Sequence, residues 1–224
     1  HAINLFREHT GIQTGLHLFL DKQIPSGAGL GGGSSDAATT LVALNRLFDA
    51  GLSDAVLHAL ACRIGSDVPF FLGSPAALVQ GRGELLTAIQ SRNDLYGVII
   101  WPEVHCSTAE AYSLVDIWQT EHPDDVDAWP SVESLAAVYA GPLAGWAQFA
   151  NSFTAPIEAR YPLIRTAREA LLQEGALFAE MSGSGSSVFG LFGDKQEAEL
   201  AFSRLSIRWA MCRKILLLAH SPMR

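Results

Sequence analysis

"IPSGAGLGGGSSDAA" (residues 24–38) is the stretch on which the reading of this chain turns. It holds five glycines, at positions 27, 29, 31, 32 and 33, and runs directly into a helical pattern. Ordering a glycine in regular structure costs roughly 0.5–1 kcal/mol relative to alanine, so such a cluster needs a reason. Three are open: a flexible linker, a tight turn, or a cradle for phosphate. A linker does not fit the strong elements on both sides. Gly27, Gly29 and Gly32 spell G-x-G-x-x-G, but a dinucleotide-binding unit needs a second strand after its first helix. Here a second helical pattern follows, and Asp49 lies in a helix-ending turn. The G-x-x-x-x-G-K-[ST] loop fails as well, because no lysine lies near Gly33. A glycine loop ending in Ser34 and Ser35 at a helix N-terminus fits a phosphate. It offers backbone N–H donors and the positive end of the helix dipole. The serine hydroxyls can cap the helix, or reach a phosphate or Mg2+.

Outward from this stretch, apolar spacing predicts a helix over 2–10 and a strand over 15–25 that ends at Pro25. A helix follows over 34–48, with Ala38, Leu41, Leu44 and Leu47 or Phe48 on one face. Residues 53–65 form a second helix, with Ser53 as cap and Gly65 as stop. Residues 76–89 read as a hairpin or a bent strand pair, and "YGVIIWP" (96–102) as a buried strand. A helix starts at Ser107, residues 119–130 read as an exposed loop, and helices are expected around 131–140, 143–150 and 156–174. A second Gly/Ser loop within 180–194 leads into a strand, then a helix over 195–206 and a strand over 214–221. Strands and helices mix without βαβ alternation, so the expected fold class is α+β, with two domains, 1–90 and 91–224.

The 224 residues are 49% apolar and 17% charged, enough for sizeable cores and unlike a disordered chain. The net charge is −8 with no Lys/Arg run, which argues against nucleic acid or an anionic membrane as partner. Cys62, Cys106 and Cys212 are odd in number and widely spaced, so neither a disulfide framework nor a zinc site is expected and the cytoplasm is the natural compartment. His17, His58, His105, His122 and His220 lack metal-ligand spacing and read as structural or surface residues, so no metal ligands are assigned. Asp67 sits at a helix end within the apolar run "VPFF", where burial of a carboxylate is costly unless it has partners. A local cap is the plain alternative to a functional role for it.

"PSGAGLGGGSS" resembles the second motif of the GHMP kinases. "GSDVPFFL" (65–72) resembles a segment of that family whose aspartate is the catalytic base, and "MSGSGSSVFGLF" (181–192) resembles its third motif. The three occur in the family's order and cover nearly the whole chain. The form "GLGGGSSDAA" is most similar to the branch acting on a cytidine-diphosphate-linked methylerythritol in the non-mevalonate isoprenoid route. The resemblance implies a two-lobed fold: a ribosomal protein S5 domain 2-like ATP-binding part, then a C-terminal α/β part. It implies a small-molecule kinase using ATP and Mg2+ on an alcohol acceptor, a monomer or weak homodimer. It assigns Asp67 as base; Gly29, Gly31, Gly33, Ser34 and Ser35 to ATP phosphates; and Asn4 to adenine. Thr108 and Tyr112 would hold the acceptor, Tyr112 by stacking on cytosine, with Gly183 and Gly185 shaping a loop beside it. Asp36 is read as structural.

The family's first motif, a lysine- and asparagine-bearing strand of the type P-A-K-L-N, has no match in this sequence. That gap and the amphipathic opening "HAINLFREHTG" lead to the expectation that residues precede His1. They also lead to the expectation that Asp67, without the family's lysine, works weakly or not at all in this chain. A kinase of the same superfamily with another acceptor, such as homoserine, mevalonate or a sugar, is the alternative, as is a catalytically weak nucleotide-binding product.

Overall fold

A computed structural model describes residues 1–123 and 131–218. The chain divides into two compact units, one of His1–Ser26 and Gly31–Ser91 with Leu218, the other of Gly27–Leu30 and Arg92–Leu217.

The first unit is built on three helices: α1 (Ala2–Thr10), α2 (Gly32–Leu47) and α3 (Asp54–Ile64). Their apolar faces meet in one core of Leu5, Phe6, Ala38, Leu41, Leu44, Leu57, Leu60 and Ala61, closed by Val68. Burying each of the larger side chains contributes ~1.5–3 kcal/mol. Ser53 caps α3 by accepting from Val56 N, and Gly11 ends α1 in the left-handed region, as their residue types predict. The face of α2 ends differently: Leu47 is 65% exposed, and Phe48 packs on Phe6 instead, ring centroids 6.2 Å apart. Strands β1 (Ala77–Gln80) and β2 (Leu85–Ala88) form the expected antiparallel hairpin.

The strand expected over 15–25 is not formed. Residues 11–23 have no regular structure, and Phe19 is 91% exposed. The alternation is present, but a strand exists only through a ladder, and no described strand pairs with this segment.

The second unit carries a four-stranded sheet in the order β4 (Phe178–Met181), β5 (Val188–Phe192), β3 (Tyr96–Trp101), β6 (Met211–Leu216), antiparallel at every step. Period-2 alternation separates its faces. Val98, Ile100, Val188 and Phe192 join a core with helices α4 (Thr108–Glu121), α6 (Thr154–Arg160), α7 (Pro162–Gln173) and α8 (Lys195–Arg208). Leu191 and Phe189 turn the other way, onto Leu143, Trp146 and the end of α5 (Val132–Ala140). Helices and an antiparallel sheet in this arrangement make the α+β class expected above.

Three boundaries shift. Helix α4, capped by Ser107, continues to Glu121 into the stretch read as loop; residues 124–130 of that loop lie outside the described residues. The helix expected over 156–174 is two helices broken at Tyr161–Pro162, because proline lacks the N–H for the ladder and crowds the preceding turn. Strand β6 starts at Met211, earlier than expected, because Met211–Leu216 is the register that pairs with β3. Residues 219–221 of the expected strand, and His220, fall outside the described residues.

Candidate functional site

In the first unit, the chain enters α2 through Gly31, whose φ of +64° lies in the left-handed region. The helix begins at Gly32, so Ser34 and Ser35 lie inside its first turn and neither caps it, contrary to the sequence reading. The cap position belongs to a residue with no side chain. Among the described residues the first-turn N–H groups from Gly31 to Ser34 therefore have no intrahelical or side-chain acceptor, and they sit at the positive end of a 16-residue helix. Ser35 N already bonds Gly31 O, at 2.9 Å. A Cβ added at Gly33 would meet nothing within 4 Å, so the backbone there is open to a ligand. Asp36 pairs with Lys22 at 2.6 Å, in keeping with a structural role.

Asp67 sits in the turn between α3 and the short helical turn Pro69–Leu72. Val68 and Pro69 beside it are buried, but Asp67 itself is exposed, and Ser66 Oγ donates weakly to it at 3.4 Å. The burial cost expected from "VPFF" is therefore absent: the apolar neighbours point inward and the carboxylate outward. Two contacts hold this turn. The Phe71 ring occupies the space where a Cβ on Gly31 would stand, 2.8 Å from Cζ. The hairpin tip approaches so closely that a Cβ on Gly83 would come within 2.2 Å of Ser66 O. The unit thus brings the turn of Asp67 and the head of α2 together. Asn4 is exposed on α1, and no hydrogen bond among the described residues ties it to the other site residues.

In the second unit, Gly27–Leu30 lies against the loop 182–187. Gly29 has φ +75°, and a Cβ there would come within 2.3 Å of Ser182 O and 2.7 Å of Gly185 O. Ser182 Oγ donates to Gly29 O at 2.8 Å, and Ser187 N donates to Ala28 O at 3.1 Å. Gly29 is thus demanded by packing against the third motif, a reason the sequence did not reveal. Gly183 and Gly185, at φ +55° and +84°, form the crest of that loop. Thr108 and Tyr112 lie one turn apart on α4, both exposed. The Tyr112 ring stands nearly perpendicular to Phe153, centroids 5.0 Å apart, and is 59% exposed.

Sequence reasoning passed over Asn151, Ser182 and Gly83. Asn151 falls between the helices expected around 143–150 and 156–174, and its local signature is an Asx-type turn, Oδ1 accepting from Phe153 N at 3.0 Å. A cleft of about 1070 Å3, lined by Asn45, His58, Phe70 and Glu84 among others, opens in the first unit and contains none of the predicted site residues. Among the described residues no cluster of three His, Cys, Asp or Glu could hold a metal, and no helix is long and apolar enough to cross a membrane.

Two family profiles match the chain: the GHMP kinases N terminal domain over residues 1–74 and the GHMP kinases C terminal domain over residues 134–210. The 4-diphosphocytidyl-2-C-methyl-D-erythritol kinase of Treponema pallidum (strain Nichols) is 42% identical over 216 residues, covering 95% of this chain and 74% of the relative. The enzyme of that name from Thermodesulfovibrio yellowstonii is 36% identical over 219 residues, covering 96% and 74%. A crystal structure of 4-(cytidine 5'-diphospho)-2C-methyl-D-erythritol kinase superposes with a TM-score of 0.78 at 33% identity, over 95% of this chain and 75% of that one. Homoserine kinase from Cytophaga hutchinsonii shares the fold alone, at TM-score 0.63 and 22% identity over 98% and 75% of the two chains. With both domain profiles present in order, and identity above one third sustained along nearly its whole length, the chain belongs to the GHMP kinase family.

Proposed function

We propose that this chain is a kinase that moves the γ-phosphoryl group of ATP to the 2-hydroxyl of 4-diphosphocytidyl-2-C-methyl-D-erythritol. The observation that carries the reading is the head of α2, where Gly31–Ser34 presents its N–H groups uncapped and Gly33 leaves the approach open. The relatives named above supply the acceptor. Phosphoryl transfer asks the protein mainly for positioning and charge neutralisation. The N–H groups of Gly31, Gly33 and Ser34 bind the phosphates, and the Ser34 and Ser35 hydroxyls, not spent on capping, suit a phosphate oxygen or Mg2+. Bound Mg2+ would neutralise phosphate charge, held mainly by phosphate oxygens and water, with a carboxylate or a Ser34 or Ser35 hydroxyl completing its oxygen shell. The acceptor hydroxyl oxygen bonds to the γ-phosphorus as the bridging bond to the β-phosphate breaks, ADP leaves, and the hydroxyl proton passes to the exposed Asp67 carboxylate. Tyr112, exposed on α4, stacks on cytosine, with Thr108 one turn before it. Gly29, Gly183 and Gly185 shape the backbone beside the ligands, and Asn4 contacts adenine.

A domain division near residue 91 and a reducing, cytoplasmic setting complete the reading; the three free cysteines support the latter. The test is ATP turnover with a panel of alcohol acceptors, in a version extended upstream to carry the lysine-bearing first motif on which Asp67 is expected to depend. Turnover with the cytidylyl methylerythritol is expected. Turnover with homoserine or mevalonate in its place would reject the acceptor assignment.

A further inference from the structure

Asn151 spends its whole side chain on three bonds. Its Nδ2 donates to Met181 O at 2.9 Å and to Gly183 O at 2.8 Å, while Oδ1 accepts from Phe153 N at 3.0 Å. The orientation is unambiguous, since two partners can only accept and the third can only donate. The loop that it grips carries two glycines at positive φ, a backbone with more freedom to lose than any other. That loop in turn grips the glycine stretch, through Ser182 Oγ to Gly29 O and Ser187 N to Ala28 O. Ser182 N closes the loop on Ser187 O at 2.9 Å.

We infer that Asn151 is a positioning residue: by pinning Met181 and Gly183 it sets the loop that fixes Ala28 and Gly29, and so the path by which the chain enters the phosphate-binding turn at Gly31. This rests on the phosphate reading of Gly31–Ser34. Aspartate at 151 would keep the bond to Phe153 N but lose both donors and set a carboxylate against two carbonyls. Glu180, whose Oε1 accepts from Thr154 Oγ1 at 2.5 Å and Met181 N at 2.7 Å, braces the same N-terminal end of the loop from the strand side.

The experiment measures MgATP dissociation constants by calorimetry, with amide hydrogen exchange, for the parent chain, Asn151→Ala, Asn151→Asp, Ser182→Ala and the Asn151→Ala/Ser182→Ala pair. Loss of these bonds is expected to weaken MgATP about tenfold in both Asn151 variants and about threefold in Ser182→Ala. The pair should be no weaker than Asn151→Ala alone, since both act on one path. Exchange at the Ser187 amide should quicken in the same variants without nucleotide. Parent-like affinity and exchange in folded Asn151 variants overturn the inference, as does full additivity in the pair. Where Asn151→Ala does not fold, Ser182→Ala decides by the same two readouts. A parent chain that binds no MgATP rejects the phosphate reading instead, and the exchange results then decide Asn151 alone.

Discussion

The Phe71 ring packs directly on Gly31, Cζ lying 2.8 Å from where a Cβ would be. One contact thus couples the segment that carries Asp67 to the cap of α2. Alanine at position 31 must take both this clash and a φ of +64°. Gly31→Ala is expected to cost about 1–3 kcal/mol in urea unfolding. Pairing it with Phe71→Leu should recover part of the loss, because only the φ term remains.

Gly33→Ala should behave in the opposite sense. Position 33 is helical with open space around its α-carbon, so alanine there stabilises by up to ~1 kcal/mol. MgATP binding should nonetheless weaken, by roughly tenfold or more if one charge-assisted N–H bond is lost. A more stable protein with unchanged nucleotide affinity would take Gly33 out of the cradle.

Asp67→Asn removes the proton acceptor without changing shape. Since Asp67 is exposed and its bond to Ser66 is weak, stability should hardly move. In a version extended upstream to carry the lysine-bearing first motif, the turnover number is expected to fall at least ~10²-fold while MgATP affinity stays near the parent value. Near-normal turnover in a steady-state assay would remove Asp67 from the chemistry.

Glu158 is a buried carboxylate held by Arg168, with Nε to Oε1 at 2.6 Å and Nη2 to Oε2 at 3.0 Å. Arg165 reaches it at 3.4 Å. Taking the bidentate partner away strands the charge, so Arg168→Leu should destabilise by about 3–5 kcal/mol in chemical denaturation. Glu158→Leu added to it should restore much of that.

Burial pushes the Cys212 thiol up to about 11. Cys106 is raised mainly by burial, Tyr139 mainly by burial, and Tyr161 mainly by its hydrogen bond to Glu110. In each case the folded chain keeps its proton to higher pH than the unfolded chain. The stability these groups contribute is therefore complete below about pH 8.5, the ordinary thiol range, and is lost as pH climbs through the raised values. Tm should fall between pH 9 and 11 in calorimetric scans, and Cys212→Val should flatten part of that fall. The exposed Cys62 should be the thiol that reacts first with a disulfide reagent.

Much of this was legible beforehand because it is local. Ser53, Ser107, Gly11 and Gly65 mark helix ends through bonds within a few residues, and they did so here. The strand read over 15–25 failed for the complementary reason, since alternation describes a segment while a strand requires a neighbour. The caps assigned to Ser34 or Ser35 failed because a glycine at φ +64° started the helix earlier than residue preference suggested.

By itself the sequence determined the α+β class, the positions of most helices, and the three glycine- and aspartate-bearing motifs that mark the family. Tertiary structure alone decided what each glycine is for. Gly33 is open, whereas Gly31 is filled by Phe71, Gly29 by the 182–185 backbone and Gly83 by Ser66 O. It alone made Asn151 a clamp, on carbonyls 30 and 32 residues away. The physical reason is that backbone preference depends on near neighbours, which the sequence displays. The use of a missing side chain, or of a free amide, depends on whatever distant backbone folding brings against it.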